Sequence, residues 1–291
     1  MKKLFIILSV AILVACNPTA KLPTIQSEAD AAFENANYDK AYTLYSEFIN
    51  LSKANNLEVD NDITVKLAQA CTQTDRIGEA STLYNQLLQN EQNIKLIAEY
   101  AQMLQREGQI DDELNLWQQY SDKITSPELS KLRAERLIFL NTSKENYSAI
   151  VDVFENKGNI KLSKEAQLAS INALANDKKT ALAIRTCNDL IKEHPDFEGA
   201  LDWKAKYYYH KAEDRYNYEM AKYNKNKNAT TYAYLRRDLK KISADYRIAR
   251  DTFIKLRKID ASNKSYIRYL KNTYLRLEQK DEAAKMDKLL K

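Results

Sequence analysis

Pairs of small or apolar residues three positions apart recur along the chain, separated by polar stretches. Residues three apart lie on one face of an α-helix, so each pair marks a helix that buries a single stripe. Chain breakers are rare, with four glycines and four prolines in 291 residues, which argues against a turn-rich β fold. The pattern therefore predicts an all-α fold. The pairs are Ala29 and Ala32, Ala68 and Cys71, Ala101 and Leu104, Leu137 and Leu140, and Ile171 and Leu174.

A second set of positions recurs at separations of 39, 33, 36, 34, 66 and 34 residues. Each of these positions is followed, about four residues later, by an aromatic or apolar residue. A period near 34 resembles the tetratricopeptide repeat (TPR), in which helix A and helix B form a helix–turn–helix unit. Over residues 27–291 the resemblance implies a TPR-type α-solenoid of about seven such units. The recurring positions are Ala41, Ala80, Glu113, Ala149, Ala183, Ala249 and Ala283.

The separation of 66 residues interrupts this period. No glycine or proline occurs between Gly199 and the C-terminus, so nothing in the composition breaks a long helix there. We therefore expect an elongated helical hairpin, with helices near 198–224 and 230–258 that turn at 224–229. The predicted domains are a TPR solenoid over 27–195, an elongated helix pair over 196–260 and a terminal TPR over 261–291.

The N-terminus carries a basic start, MKK, followed by about a dozen apolar residues that end at Cys16. This is the pattern of an export signal. Residues 13–16, LVAC, resemble the lipobox of bacterial lipoproteins. The resemblance implies a signal peptide over 1–15, palmitate-type acylation of Cys16 and a lipidated tether over 16–26. The following Asn17, in place of Asp, favours the outer membrane, with its periplasmic or surface face left open.

Charge and tyrosine are concentrated in the last third of the chain. Residues 200–291 hold 24 Lys or Arg and 12 Asp or Glu, and 12 of the 19 tyrosines. Such asymmetry is commonly a solvated surface of different composition. It also fits an anionic partner, either a lipid headgroup, lipopolysaccharide, an acidic glycan or an acidic protein. Nucleic acid is not expected for an exported protein.

Helical spacing divides the tyrosine-rich stretch 206–227 into two faces. One face, which runs from Leu201 to Tyr223, has the width of a core-facing stripe. The opposite face either packs on the preceding repeat or forms an exposed aromatic strip. Its members are the candidate partner-binding residues Trp203, Tyr207, His210 and Tyr218.

The residue types needed for catalysis are sparse. The chain has two histidines, and it lacks a nucleophile elbow, a phosphate-binding glycine loop and a zinc-ligand spacing. Adjacent carboxylates at 111–112 and 281–282 fall at turns before helices, where acidic side chains cap helix N-termini. We expect Cys71 and Cys187 to be buried thiols rather than a disulfide. No enzyme activity, metal or cofactor is predicted.

These features together predict a non-catalytic, membrane-anchored scaffold of the bacterial cell envelope. The resemblance to TPR proteins implies that a protein or peptide partner binds in the groove formed by the A helices. It extends to TPR lipoproteins that act as accessory subunits of outer-membrane assembly or surface complexes. The alternative is a glycan- or nutrient-binding lipoprotein of an outer-membrane uptake system.

Overall fold

A computed structural model describes residues 18–90 and 94–290 of the chain. The predicted signal peptide, the lipobox and the proposed lipid-bearing Cys16 lie outside these ranges. Within them the protein is all-α, with fourteen α-helices and no strand. None of these helices is both long enough and apolar enough to cross a bilayer.

The helices fall into two compact units that divide between Thr125 and Ser126. The first unit contains α1 (Leu22–Glu34), α2 (Tyr38–Ala54), α3 (Asn61–Gln73), α4 (Ile77–Asn90), α5 (Ile94–Arg106) and α6 (Ile110–Gln119). The second contains α7 (Pro127–Ser143), α8 (Tyr147–Glu155), α9 (Lys164–Asn176), α10 (Thr180–Glu193), α11 (Glu198–Lys225), α12 (Ala229–Ile259), α13 (Lys264–Arg276) and α14 (Lys280–Leu290). Short 3₁₀ helices precede α1 and follow α6.

Consecutive helices pack as seven A–B pairs, from α1 with α2 to α13 with α14. Helix B of a pair also contacts helix A of the next pair, as α2 does with α3 and α12 with α13. This arrangement confirms the predicted fold class, an all-α TPR-type solenoid of about seven helix–turn–helix units.

The same turn joins helix A to helix B in six of the seven described pairs. One residue of each turn has a positive φ, and the next residue donates its backbone N–H to the carbonyl five residues earlier. This is the bond of a Schellman motif, which satisfies the last carbonyls of helix A and reverses the chain. The positive-φ residues are Ala36, Asp75, Gly108, Glu145, Lys178 and Glu278.

Helix A and helix B approach each other closely because an alanine lies five positions after the positive-φ residue in four of these six turns. Ala41, Ala80 and Ala183 are all fully buried against helix A. In the fourth pair the sequence-based position was wrong by one residue. Ile150 is buried there, whereas Ala149 is only half-buried, because the turn after Glu145 sets the register of α8.

Glu113 takes the alanine position in the third pair and is nevertheless buried. The indole Nε1 of Trp117, one turn later on α6, donates a hydrogen bond of 3.0 Å to its carboxylate. A buried carboxylate requires such a donor, because desolvation without compensation is costly. Trp117 is therefore a core residue, as its place on the helix predicted.

The N-terminal boundary of the solenoid differs from the prediction. Helix α1 begins at Leu22, and the side chains of Leu22 and Ile25 are buried. Residues 22–26, which the sequence placed in the tether, are therefore the first turns of α1. Pro23 is compatible with this start, because the first backbone N–H groups of a helix make no intrahelical hydrogen bond and proline lacks only that N–H group.

The elongated hairpin of the second unit is confirmed. Helices α11 and α12 have 28 and 31 residues, so at about 1.5 Å per residue they are about 42 and 46 Å long. Asn228 begins α12 with a capping box, in which it and Thr231 exchange hydrogen bonds. The reversal at residues 226–228 therefore needs neither glycine nor proline.

Cys71 and Cys187 are both free thiols in buried positions, which confirms the expectation from sequence. Burial raises the pKa of Cys71 to about 12 and that of Cys187 to about 11. Neither thiol ionises appreciably near neutral pH, so both act as small apolar core residues.

The turns predict a stabilising substitution. Glu145 has φ of 53°, a conformation that a side chain with a Cβ adopts at a cost. We expect Glu145→Gly to stabilise the second unit by about 0.5–1 kcal/mol, because the relief of strain exceeds the added entropy of the unfolded chain. The measurement is urea denaturation followed by circular dichroism.

Glu145→Ala is the matched control, because it removes the same charge and keeps the Cβ. Its denaturation midpoint should stay at or below that of the parent chain. Equal midpoints for the glycine and alanine variants would contradict the role given to this turn.

Candidate functional site

The aromatic residues singled out on α11 do not form one strip. Trp203 and Tyr207 stack on each other with ring centroids 5.3 Å apart and an interplanar angle of 2°. Trp203 also packs against the core formed by α7 to α10. This part of the second face therefore packs on the preceding repeat, which was one of the two interpretations of the sequence.

His210 and Tyr218 lie elsewhere. The Nε2 of His210 is 3.4 Å from the hydroxyl of Tyr269 on α13, so this residue faces the following repeat. Tyr218 is 65% exposed on the outer part of α11. The four predicted binding residues are therefore distributed over three environments, because neighbouring helices on both sides of α11 cover different parts of its surface.

A polar groove lies across the A helices of the first unit and was not singled out from the sequence. It encloses a volume of about 620 Å³ between α1, α3 and α5. This helix A groove is lined by Phe33, Tyr38, Gln69, Thr72, Gln73, Tyr84, Glu99, Gln102, Met103, Gln105 and Arg106.

The floor of the helix A groove is fixed by packing. Thr72, Tyr84 and Met103 are buried, and the Thr72 hydroxyl donates to the carbonyl of Ala68 at 2.9 Å. Tyr84 stacks on Tyr100 with centroids 5.2 Å apart, and burial raises its pKa to about 12. The floor is therefore rigid and neutral at physiological pH.

One wall of the groove is aromatic and the opposite rim is cationic. Phe33 and Tyr38 meet edge to face with centroids 5.5 Å apart, across the turn between α1 and α2. Arg106, at the end of α5, donates to the carbonyl of Thr72 on α3 at 2.7 Å and to Glu107 at 2.8 Å. The bond to Thr72 ties α3 to α5 and holds the guanidinium at the rim.

Four glutamines are distributed around the groove, and their positions follow helical spacing. Gln69 and Gln73 lie four apart on α3, and Gln102 and Gln105 three apart on α5. The amide of Gln69 donates to the Glu99 carboxylate at 2.8 Å, which links the two helices. Gln73, Gln102 and Gln105 are exposed.

The chemistry of the groove is that of recognition. Its primary amides each carry a donor and an acceptor, and they lie beside one carboxylate and one guanidinium. Across the described residues there is no group of three or more His, Cys, Asp or Glu side chains placed to hold a metal ion. In the sequence, the groove corresponds only to polar residues on the exposed faces of successive A helices. Any solvated helix face shows the same pattern, so the groove becomes apparent only when the helices are packed together.

A second polar cluster lies on the A helices of the other unit, beside His210. Arg276 on α13 forms two hydrogen bonds of 2.8 Å with the carboxylate of Glu213 on α11. The hydroxyl of Tyr246 on α12 donates to the same carboxylate at 2.8 Å. The guanidinium also lies over the ring of Tyr216, 4.1 Å from its centroid. Glu213 therefore joins three helices at the base of the hairpin.

The helix pairs and their shared turn define the fold as that of a TPR-like helical repeat protein. No protein-family model matches the chain, and no curated protein sequence matches it. It is similar to solved structures of helical repeat proteins at low identity.

Three of these structures illustrate the similarity. A candidate protein-binding protein from Bacteroides ovatus is 17% identical, with 80% of this chain and 100% of that one covered and a TM-score of 0.48. The C-terminal part of a TPR repeat-containing protein from Cytophaga hutchinsonii is 15% identical over 84% and 98% of the two chains, with a TM-score of 0.46. A tetratricopeptide repeat protein from Parabacteroides merdae is 17% identical over 87% and 99%, with a TM-score of 0.45.

The Glu213 cluster predicts a pH-dependent contribution to stability. Burial acts to raise the pKa of Glu213, but the hydrogen bonds from Arg276 and Tyr246 outweigh it and lower the pKa below 4.5. The stabilisation is therefore present above about pH 4.5 and is lost as the pH falls through the pKa of the folded protein. We expect Glu213→Gln to destabilise the second unit by about 1.5–3 kcal/mol at pH 7.

Asp214→Asn is the control, because Asp214 is the exposed neighbour of Glu213 on α11. The measurement is denaturation of both variants and the parent between pH 7 and pH 3. The difference between the parent and Glu213→Gln should shrink at acid pH. A difference that is independent of pH, or an equal loss in Asp214→Asn, would contradict the assigned role of the carboxylate.

Proposed function

We propose that the protein is a non-catalytic scaffold that holds an extended segment of a protein partner in the helix A groove. The observation that supports this most directly is the set of four glutamine amides around a rigid, neutral floor. An extended peptide presents unpaired backbone N–H and C=O groups on both sides, and a primary amide can donate to one and accept from the other.

The other groups in the groove restrict which peptide fits. The edge-to-face pair of Phe33 and Tyr38 offers an apolar surface for one side chain. The guanidinium of Arg106 has N–H groups beyond those bound to Thr72 and Glu107, and these favour a carboxylate on the partner. The preferred ligand is therefore an extended segment with an apolar residue followed or preceded by an acidic one.

The proposal includes a place in the cell. The lipobox-like sequence before Cys16 supports acylation of that cysteine and attachment to the bacterial outer membrane, where the scaffold would serve as an accessory subunit of an assembly or surface complex. Two or three acyl chains on one cysteine hold a protein on a bilayer almost permanently. The 3₁₀ helix Pro18–Lys21 precedes α1 and contacts α2, so the described fold begins within two residues of Cys16 in the sequence.

The first test uses a displayed library of random linear peptides selected on the purified chain. We expect acidic, apolar-containing segments to be selected. Gln73→Ala combined with Gln102→Ala should weaken their binding about tenfold or more, because each lost hydrogen bond contributes about 0.5–1.5 kcal/mol. The measurement is fluorescence polarisation of a selected labelled peptide.

The matched control combines Gln89→Ala with Gln118→Ala, two exposed glutamines on the B helices of the same unit. This variant should bind like the parent chain. A glycan array in parallel tests the alternative of an uptake-system binder. Tight binding of a polysaccharide, with no peptide selected by the groove, would refute the peptide-binding proposal in favour of that alternative.

The anchor has its own test. Cys16→Ala should abolish incorporation of labelled palmitate in cells and release the protein from the membrane fraction. Cys71→Ala is the control, since this thiol is buried in the folded chain, and it should retain the label. Labelling that survives in Cys16→Ala, or is lost in Cys71→Ala, would show that the lipid is attached elsewhere.

A further inference from the structure

The outer end of the hairpin, residues 214–241, extends past the core of its unit. The buried cluster that packs α11 and α12 against α13 and α14 ends at Ala212 on one helix and Ile242 on the other. Beyond these two residues, only Leu235 and Asp238 are buried. Packing against other helices therefore does not explain the length of α11 and α12. A role for the surface of this end would explain it.

That surface is strongly cationic. Seven of its basic side chains are exposed, whereas its carboxylates beyond Glu213 are limited to Asp214, Glu219 and the buried Asp238. Asp238 is already paired with Arg215 at 3.2 Å and with Arg237 at 3.4 Å. The seven exposed basic residues are Lys222, Lys225, Lys227, Arg236, Arg237, Lys240 and Lys241. Within the described parts of the chain, six of them, all except Arg237, have no carboxylate in ion-pair range.

Exposed tyrosines accompany these charges. Tyr218 is 65% exposed, and Tyr232 and Tyr234 are each 50% exposed. The guanidinium of Arg237 lies 5.4 Å from the ring centroid of Tyr234. An aromatic ring with a polar hydroxyl is favoured where apolar and aqueous phases meet, and such rings are enriched at bilayer interfaces.

The recess between the two helices of the outer end is small. It lies beside Tyr223 and Leu235 and holds about 20 Å³, which is about the room that one water molecule needs. The cations lie instead on both helices and on the turn between them. Such a distribution matches a partner that presents negative charge over a broad surface rather than at one point.

We propose that the outer end of the hairpin docks on the surface of an anionic phospholipid bilayer. Its lysines and arginines contact headgroup phosphates, and Tyr218, Tyr232 and Tyr234 enter the headgroup layer. A bilayer is favoured over an acidic protein because the surface combines unpaired cations with exposed aromatic rings, and the recess between its helices holds no more than about one water molecule. The proposal does not depend on the helix A groove or on the lipid at Cys16.

The test measures co-sedimentation of the unlipidated chain that begins at Asn17, which keeps every described residue, with phospholipid vesicles. Vesicles of phosphatidylcholine alone are compared with vesicles in which about one third of the lipid is phosphatidylglycerol. We expect binding to the anionic vesicles only. It should be strong when the Debye length is about 30 Å, at about 0.01 M salt, and largely lost at about 1 M salt.

A tip variant changes Lys222, Lys225, Lys227 and Arg236 to glutamine. Each basic residue near an anionic surface contributes about a fivefold gain in partitioning, so the loss of four should reduce binding by about 100-fold or more. The matched control changes four exposed lysines of the same unit to glutamine, which leaves the same net charge. These are Lys255, Lys258, Lys264 and Lys280. The loss of vesicle binding in the control variant should be less than about a tenth of the loss in the tip variant.

A third variant changes Tyr218, Tyr232 and Tyr234 to serine. It should bind anionic vesicles about tenfold more weakly, with the salt dependence retained, because the charges remain. Circular dichroism confirms that each variant keeps its helices. Peptide binding in the helix A groove should be unchanged in all three variants. A failure of the membrane proposal can therefore be distinguished from a failure of the peptide-binding proposal.

Three results would overturn the membrane proposal. These are equal binding to neutral and anionic vesicles, equal losses in the tip and control variants, and no binding to anionic vesicles at low salt. In the last case, retention of the parent chain by immobilised polyglutamate, weakened in the tip variant alone, would assign the surface to an acidic protein instead.

Discussion

Close approach of two antiparallel helices at a repeated turn is the constraint on which both units depend. The turn reverses the chain within three residues, and its hydrogen bond to the fifth preceding carbonyl fixes the angle at which helix B leaves. A small residue such as Ala41 or Ala183 then lets the two backbones come together. Where a carboxylate takes that position, as in Glu113, a hydrogen-bond donor is required, and the indole of Trp117 provides it.

The long hairpin pairs its two helices closely without this turn. Helices α11 and α12 do not turn at the usual position, so their inner halves pack like an ordinary pair while their outer halves extend beyond the core. Polar contacts take over part of the role of packing there. Arg215 pairs with Asp238 at 3.2 Å in the outer halves, and Lys211 pairs with Asp245 at 3.0 Å where the core ends; both bonds join α11 to α12. The surplus cations are left to face outward.

The two units thus present different chemistry on the same scaffold. The first unit places neutral amides, one aromatic pair and one arginine around a groove, which suits the recognition of a peptide backbone. The second places charge and tyrosine on the outer end of its hairpin, which suits a broad anionic surface. The proposals of peptide binding, bilayer docking and acylation of Cys16 together describe a protein that holds a partner beside a membrane.

The sequence by itself determined the helices, their pairing and the long hairpin, because a period near 34 residues and the scarcity of glycine and proline are local properties. It also determined that residues such as Ala68 and Cys71 are buried, since helical spacing assigns them to one face. The structure corrected the register of α8, which the turn after Glu145 sets, and the start of α1 at Leu22. The tertiary structure alone decided the separation of Trp203 from His210. It also revealed the groove, because Gln69 and Glu99 become neighbours only when α3 lies beside α5. The separation and the groove depend on contacts between helices that are distant in the chain, which no single helix encodes.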